Sequence, residues 1–170
     1  MVAYTKQVRP GLDIRVGDLR DFRLGRTVDA ILCLGNTLAY LHDNHDIQAA
    51  FATLAAHAHA GTVLILLTPI APIERTEPRT SRVDTLGLHA QVTIHYEWDL
   101  RTQINTMYRH WLLDDSTEHQ DTIRRRVLWP RELELYATLS GFTVVDMFGN
   151  PTVRTEPLCG PNGYVIAHYR

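Results

Sequence analysis

Two apolar runs of strand length, residues 30–34 and residues 62–67, constrain this chain more than any other feature. A strand that is apolar at nearly every position is covered on both faces, which is the environment of a parallel strand. Between the runs, Ile47, Ala50, Phe51, Leu54 and Ala58 recur at helical spacing. Asp43, Asn44 and Asp46 stand at the front of that helix as capping candidates, and Gly61 stands just beyond its end as a stop. A parallel pair needs a crossover connection, and strand, helix, strand supplies one. Both runs are therefore expected at the centre of an α/β sheet. Ahead of them, Leu12, Ile14 and Val16 alternate with Asp13 and Arg15 like a strand with one covered face, ended by Gly17 and Asp18.

The pattern changes at residue 88. Val92, Ile94, Tyr96, Trp98 and Leu100 alternate with Gln91, Thr93, His95, Glu97 and Asp99, a period of two that predicts a long half-exposed strand. Weaker strand signals at residues 106–113 and 121–128 complete an antiparallel meander, which has to lie on the parallel sheet rather than inside it. Residues 69–81, with prolines and mixed charge, read as the loop joining the two regions. Pro130 suits the first turn of a helix running to Ser140, and Gly141 suits its left-handed stop. Residues 142–148 and 163–168 return as strands, joined by a proline-containing connection.

A chain of 170 residues that is 45% hydrophobic suits one globular domain. With 17 basic and 19 acidic residues interspersed, net charge is -2, and no basic stripe exists for a phosphate backbone. Nucleic acid is excluded as a general partner on that ground. The one cationic run, Arg124 to Arg126, reads as the solvated face of a strand. Cys33 and Cys159 are too few for a disulfide framework, and Cys33 sits among Ile31, Leu32 and Leu34 as a buried apolar residue would. No stretch approaches the ~20 apolar residues of a membrane span, and the first residues lack the apolar core of a signal peptide. A cytoplasmic protein with no membrane partner is expected.

Nine histidines invite a metal reading, above all His42 and His45 beside Asp43 and Asp46. A metal site needs three or four convergent ligands, whereas capping already explains these acids, and His57 and His59 diverge on a helix. No metal is expected. No Gly-x-Ser-x-Gly turn or Ser, His, Asp set points to hydrolysis.

Four stretches, in order, carry a family resemblance: residues 16–22 (Val-Gly-Asp-Leu-Arg-Asp-Phe), residues 28–33 continuing through Leu41, residues 58–61, and residues 127–133 continuing through Phe142. Together they resemble a class I S-adenosylmethionine-dependent methyltransferase of the small-molecule branch, similar to amino-sugar N-methyltransferases and N-terminally truncated. The resemblance implies an α/β fold: an incomplete Rossmann-like methyltransferase sheet lacking its first two strands, with an inserted antiparallel meander. It implies a single domain, with a partial cofactor-binding core at residues 1–70, a loop and insertion at 71–128, and a C-terminal helix and strands at 129–170. The cofactor it implies is S-adenosyl-L-methionine, and the partner a small-molecule substrate.

By the same resemblance, Asp18 accepts from the adenine amino group, and the Leu19 N–H faces a ring nitrogen beside Arg20. A carboxylate accepts from an exocyclic amine and an amide donates to a ring acceptor, so the residue types suit the task. Leu34, Gly35 and Asn36 would line the methionine portion, because ligands in open α/β sheets gather beyond the carboxyl ends of strands. Tyr40, Tyr96 and Trp98 would line the substrate, with Tyr108 and Trp111 on the same inserted strands. No catalytic residue is assigned.

Two family features have no counterpart. The glycine-rich turn after the first strand is missing, since no two of the ten glycines are separated by a single residue, and so is the acid that holds the ribose. The first six residues resemble the tail of the helix after the second strand. Three explanations stay open: an internal start within a longer enzyme, a partner or second copy that supplies the strands, or a closed-up degenerate fold. The expected parent activity is methyl transfer to a small molecule at N, O or C, with poor cofactor binding by residues 1–170 alone. The alternative is a non-catalytic scaffold or subunit that pairs with another chain through an open sheet edge or the inserted strands.

Overall fold

The computed structural model describes residues 2–75, 77–85, 87–153 and 157–170. The elements run α1 (Val2–Val8), β1 (Val28–Cys33), a 3-10 turn (Thr37–Tyr40), α2 (Asn44–Ala55), β2 (Ala58–Pro69), β3 (Arg79–Thr85), β4 (Leu88–Asp99), β5 (Ile104–Leu113), β6 (Glu118–Arg126), α3 (Pro130–Leu139), β7 (Phe142–Phe148) and β8 (Asn162–Tyr169). They build two four-stranded sheets, ordered β1-β2-β8-β7 and β3-β4-β5-β6.

In the first sheet β1 pairs parallel with β2, Ala30 opposite Val63 and Cys33 opposite Leu66, through the crossover helix α2. β8 then lies antiparallel between β2 and β7. Helices α2 and α3 cover one face. Ile47, Phe51 and Leu54 of α2 and Leu133 and Ala137 of α3 meet Leu64 and Leu66 of β2 and Val165 and Ala167 of β8, all at most 2% exposed. Each large side chain buried there contributes roughly 1.5–3 kcal/mol relative to exposure. The two helices touch through stacked Phe51 and Tyr136 rings, 6.0 Å apart. At the end of α3, Gly141 takes φ +87 and its N–H donates to the Thr138 carbonyl (3.1 Å), as the left-handed stop requires, while its own carbonyl accepts from the Arg170 N–H (3.0 Å).

Several expectations need correction. β1 is an edge strand rather than a central one, because nothing among the described residues pairs with its second side, and Leu32 is 62% exposed there. On β2 the apolar run has one covered face; Val63, Ile65 and Leu67 on the other stay half-buried. Residues 12–16 form no strand, since the free edge of β1 does not reach them and an alternating pattern without a ladder partner gives no sheet. Gly61 is no helix stop: it bends β2 from within at φ +91, and His59 lies on that strand rather than on α2. Asp43 is the N-cap of α2 by position but makes no side-chain capping bond.

The second sheet is the expected meander with one more strand. β3 begins within the stretch assigned to the joining loop, at residues 79–81, and runs on to Thr85, with its Arg82 and Asp84 paired on the surface. Arg126 at the end of β6 welds this sheet to the helices. It is 4% exposed and donates to the His42 carbonyl (3.1 Å), Asn44 Oδ1 (2.6 Å), Gln103 Oε1 (3.3 Å) and Glu132 Oε1 (2.6 Å). The cationic run is therefore not one solvated face: Arg124 is exposed, Arg125 half-buried and Arg126 buried.

Candidate functional site

The carboxyl ends of β1 and β2 open on the same crevice, where ligands of open α/β sheets collect. Beyond β1 the chain takes two left-handed residues in succession, Gly35 at φ +71 and Asn36 at φ +61. Asn is among the few side chains that tolerate this region. The Thr37 hydroxyl donates to the Leu34 carbonyl (2.7 Å) and the Ala39 N–H to the Asn36 carbonyl (3.0 Å), closing the 3-10 turn. As a result Asn36 turns inward, and its Oδ1 is buried without a hydrogen-bond partner. The Thr68 hydroxyl, two residues past the Cys33 and Leu66 pair, is in the same condition. Buried polar atoms are almost always bonded, so two orphans at one pair of strand ends leave acceptor and donor capacity that a polar ligand or water can take up.

Asp18 stands at a tight turn whose Asp21 and Phe22 N–H groups donate to its carbonyl. Its Oδ1 accepts from the Arg20 N–H (2.9 Å) and Nε (3.0 Å), and its Oδ2 from Arg20 Nη2 (2.7 Å). These bonds, led by the guanidinium, hold the Asp18 carboxyl down to about 2. A carboxylate offers about four acceptor positions, so one on Oδ2 is left for an incoming amine. Arg20 also reaches Asp46 on α2 (3.2 Å), which ties the turn to the helix. An open cavity of ≈ 450 Å³ lies between this segment and the 3-10 turn, bordered by Gly17, Leu19, Phe22 and Thr37.

The inner face of the second sheet roofs the crevice. Tyr96, Asn105, Met107 and Arg125 enclose a cavity of ≈ 60 Å³ against Pro69 and Pro161. A groove of ≈ 350 Å³ continues past Tyr96 between Arg75 and Arg79. Asn105 fixes the wall, accepting from the Ile73 N–H (3.4 Å) and donating to the Glu97 carbonyl (3.2 Å). The Arg125 guanidinium sits 5.8 Å from the centroid of the Tyr40 ring, and its Nε is also buried without a partner, as are Arg126 Nε and Glu132 Oε2 within their ion pair.

Of the residues expected at the site, Leu19 borders the cavity beside the Asp18 turn, Tyr96 lines the cavity under the second sheet, and Tyr40 meets that second cavity through Arg125. Asp18 and Arg20 form the turn itself, and Leu34, Gly35 and Asn36 follow the end of β1. Trp98 shares the strand face of Tyr96 and pairs with Asn105 of the cavity wall, but it is not among the residues lining that cavity and borders a neighbouring open hollow with Glu97, Tyr108 and Arg124. Tyr108 faces outward on Glu97 (2.8 Å), and Trp111 is occupied by Asp121 (3.2 Å) and by Arg109 over its ring. Arg125, Thr68 and Asn105 were missed. For Arg125 the signal was strand parity, since it shares a face with Ile123 while Arg124 does not. Among the described residues no three His, Cys, Asp or Glu side chains converge as metal ligands.

For S-adenosylmethionine these residues fit at two ends, an open acceptor on Asp18 and the orphaned Asn36 Oδ1. They offer no glycine turn between those ends.

No family model matches the chain. In sequence it is similar to the dTDP-3-amino-3,6-dideoxy-alpha-D-glucopyranose N,N-dimethyltransferase of Streptomyces fradiae, 26% identical over 159 residues, 91% of this chain and 62% of that enzyme. It is 32% identical over 66 residues to the dTDP-3-amino-3,4,6-trideoxy-alpha-D-glucopyranose N,N-dimethyltransferase of Streptomyces venezuelae, 39% of this chain and 28% of the relative. The fold matches DesVI of Streptomyces venezuelae at a TM-score of 0.80 and 21% identity, covering 99% of this chain and 70% of that one. It also matches CalS10, an amino pentose methyltransferase from Micromonospora echinaspora, at a TM-score of 0.78 and 22% identity, covering 98% and 69%. The chain accordingly has the fold of S-adenosylmethionine-dependent methyltransferases and resembles sugar N,N-dimethyltransferases, while spanning less than two thirds of the curated relatives' length.

Proposed function

We propose that this chain forms the adenine-side and substrate-side portion of a cytoplasmic S-adenosylmethionine-dependent N-methyltransferase acting on a nucleotide-linked amino sugar. The observation that carries the reading is the orphaned Asn36 Oδ1 at the end of β1, next in sequence to Thr37, which with Gly17 and Leu19 borders the cavity there. The likeness to two dTDP-amino-sugar dimethyltransferases supports the substrate class.

In this reading Asp18 accepts from the adenine amino group, the Leu19 N–H donates to the ring, and Arg20 holds the Asp18 carboxylate in place. Leu34, Gly35 and Asn36 receive the methionine end. When bound, S-adenosylmethionine supplies an electrophilic methyl on a sulfonium, a good leaving group. What remains for the protein is to position a neutral amine in line and keep water away. Tyr40 and Tyr96 orient the sugar at the mouth. Arg75 and Arg79 in the groove, with Glu77 between them, and Arg125 in the adjoining cavity supply guanidinium groups that suit a diphosphate.

Catalysis on this account requires a glycine-rich turn seated against the free edge of β1. Fusing the chain behind the N-terminal part of the Streptomyces fradiae relative, the part it does not match, tests this by mass spectrometry with a panel of dTDP-amino sugars. The fusion is expected to add one or two methyl groups and the chain alone none. A fusion that binds S-adenosylhomocysteine yet methylates no amino sugar would refute the substrate assignment.

The free β1 edge also favours a second reading, a non-catalytic subunit that pairs with another chain through that edge or through the inserted strands. Native mass measurement separates the two, since a stable hetero-oligomer without turnover supports the subunit.

A further inference from the structure

His57 has no part in the chemistry above, yet it is 3% exposed and both ring nitrogens are committed. The Leu24 N–H donates to its Nε2 at 2.9 Å, and its Nδ1 lies 2.7 Å from the Thr53 carbonyl. A backbone N–H can only donate and a carbonyl can only accept. The ring is therefore neutral with its proton on Nδ1, the tautomer set by its two neighbours.

From this residue a chain of contacts leads to the adenine turn. The Phe22 ring stacks on the imidazole, with centroids 4.7 Å apart and planes 15° apart. Phe22 in turn packs against Gly17, where an added Cβ would come within 3.2 Å of it, and Gly17 precedes Asp18. Thr53, one helical turn before His57, donates through its hydroxyl to the Arg20 carbonyl (2.8 Å) and accepts from Arg23 (3.0 Å). Residues 18–24 form no helix or strand, so these side-chain bonds to α2 hold that segment where regular structure does not.

We infer that His57 is a positioning residue for the cofactor: as the Nδ1–H tautomer it clamps residues 20–24 to the end of α2 and so fixes Asp18 at the crevice. The inference rests on the adenine role of Asp18. His57→Gln keeps an acceptor near the Nε2 position for Leu24, whereas His57→Asn keeps a donor near Nδ1 for Thr53 and loses that acceptor.

The test has two arms. Imidazole ¹⁵N spectra of the intact chain are expected to show the Nδ1–H tautomer, and exchange is expected to show a protected Leu24 amide. An Nε2–H tautomer or an unprotected Leu24 amide overturns the clamp whatever Asp18 does. In titrations with S-adenosylhomocysteine, H57N is expected to weaken binding about tenfold while H57Q stays near the wild type. Equal affinities in the two variants overturn the positioning role. Unchanged affinity in Asp18→Ala would overturn the adenine reading while leaving the clamp to the first arm.

Discussion

Arg126 offers the sharpest test of how the inserted sheet is held. Its side chain is 5% exposed and its partner Glu132 21%, and the guanidinium also serves Asn44, Gln103 and the His42 carbonyl. Arg126→Met removes the cation while filling much of the same volume, so the loss is electrostatic rather than steric. Breaking a buried pair by removing one member costs about 3–5 kcal/mol, because the other charge is left uncompensated. Since water can reach part of Glu132, the lower end applies, about 3 kcal/mol. For a domain of this size that lowers Tm by roughly 6–12 °C. Urea unfolding of the wild type, R126M, Glu132→Leu and the double variant closes a cycle. The double variant should lie above R126M, because it leaves no unpaired carboxylate, with a coupling of at least about 1.5 kcal/mol. An R126M cost below about 1 kcal/mol, or a coupling near zero, would refute the claim that this pair welds the sheet to the helices.

Gly149→Ala would set a Cβ 2.2 Å from the Cys159 carbonyl oxygen, so it is expected to destabilise by roughly 1–3 kcal/mol in chemical denaturation. Asn36→Gly suits the left-handed backbone and deletes a buried orphan, so stability should hold or rise by about 0.5–1 kcal/mol while S-adenosylhomocysteine affinity falls. Reduced affinity with preserved stability marks a ligand contact, and unchanged affinity would remove Asn36 from the site. The Asp18 carboxyl is depressed to about 2, so its bonds to Arg20 are intact above its ordinary value of 3.8 and are lost as pH falls through about 2. Carboxyl ¹³C titration should show that midpoint, moving up toward 3.8 in Arg20→Ala.

Much of the architecture was legible because hydrophobic period and turn chemistry act locally. The even residues from Val92 to Trp98 gave β4, and Pro130 with Gly141 bracketed α3. What was not legible depends on neighbours. The alternation at Leu12, Ile14 and Val16 has the form of a strand, but a strand exists only with a ladder partner. Gly61 reads alike as a helix stop or a strand bend, and β2 pairing with β1 and β8 decided for the bend. At the proposed site, Asp18 and Asn36 were singled out from the order of the motifs. Arg125 and Arg126 were hidden inside a charge run whose three members the strand sends to different surroundings. His57 could not be found at all, since its role comes from a loop 33 residues away in sequence.

The central claim is that the crevice at the ends of β1 and β2 receives S-adenosylmethionine through the Asp18 turn and Asn36. Amide ¹H–¹⁵N spectra of the chain titrated with S-adenosylhomocysteine test it most directly. The account predicts weak, fast-exchanging binding with shifts concentrated at Leu19, Arg20, Gly35 and Asn36. Shifts that leave those four amides unmoved, at concentrations where the ligand perturbs other residues or none, would contradict it.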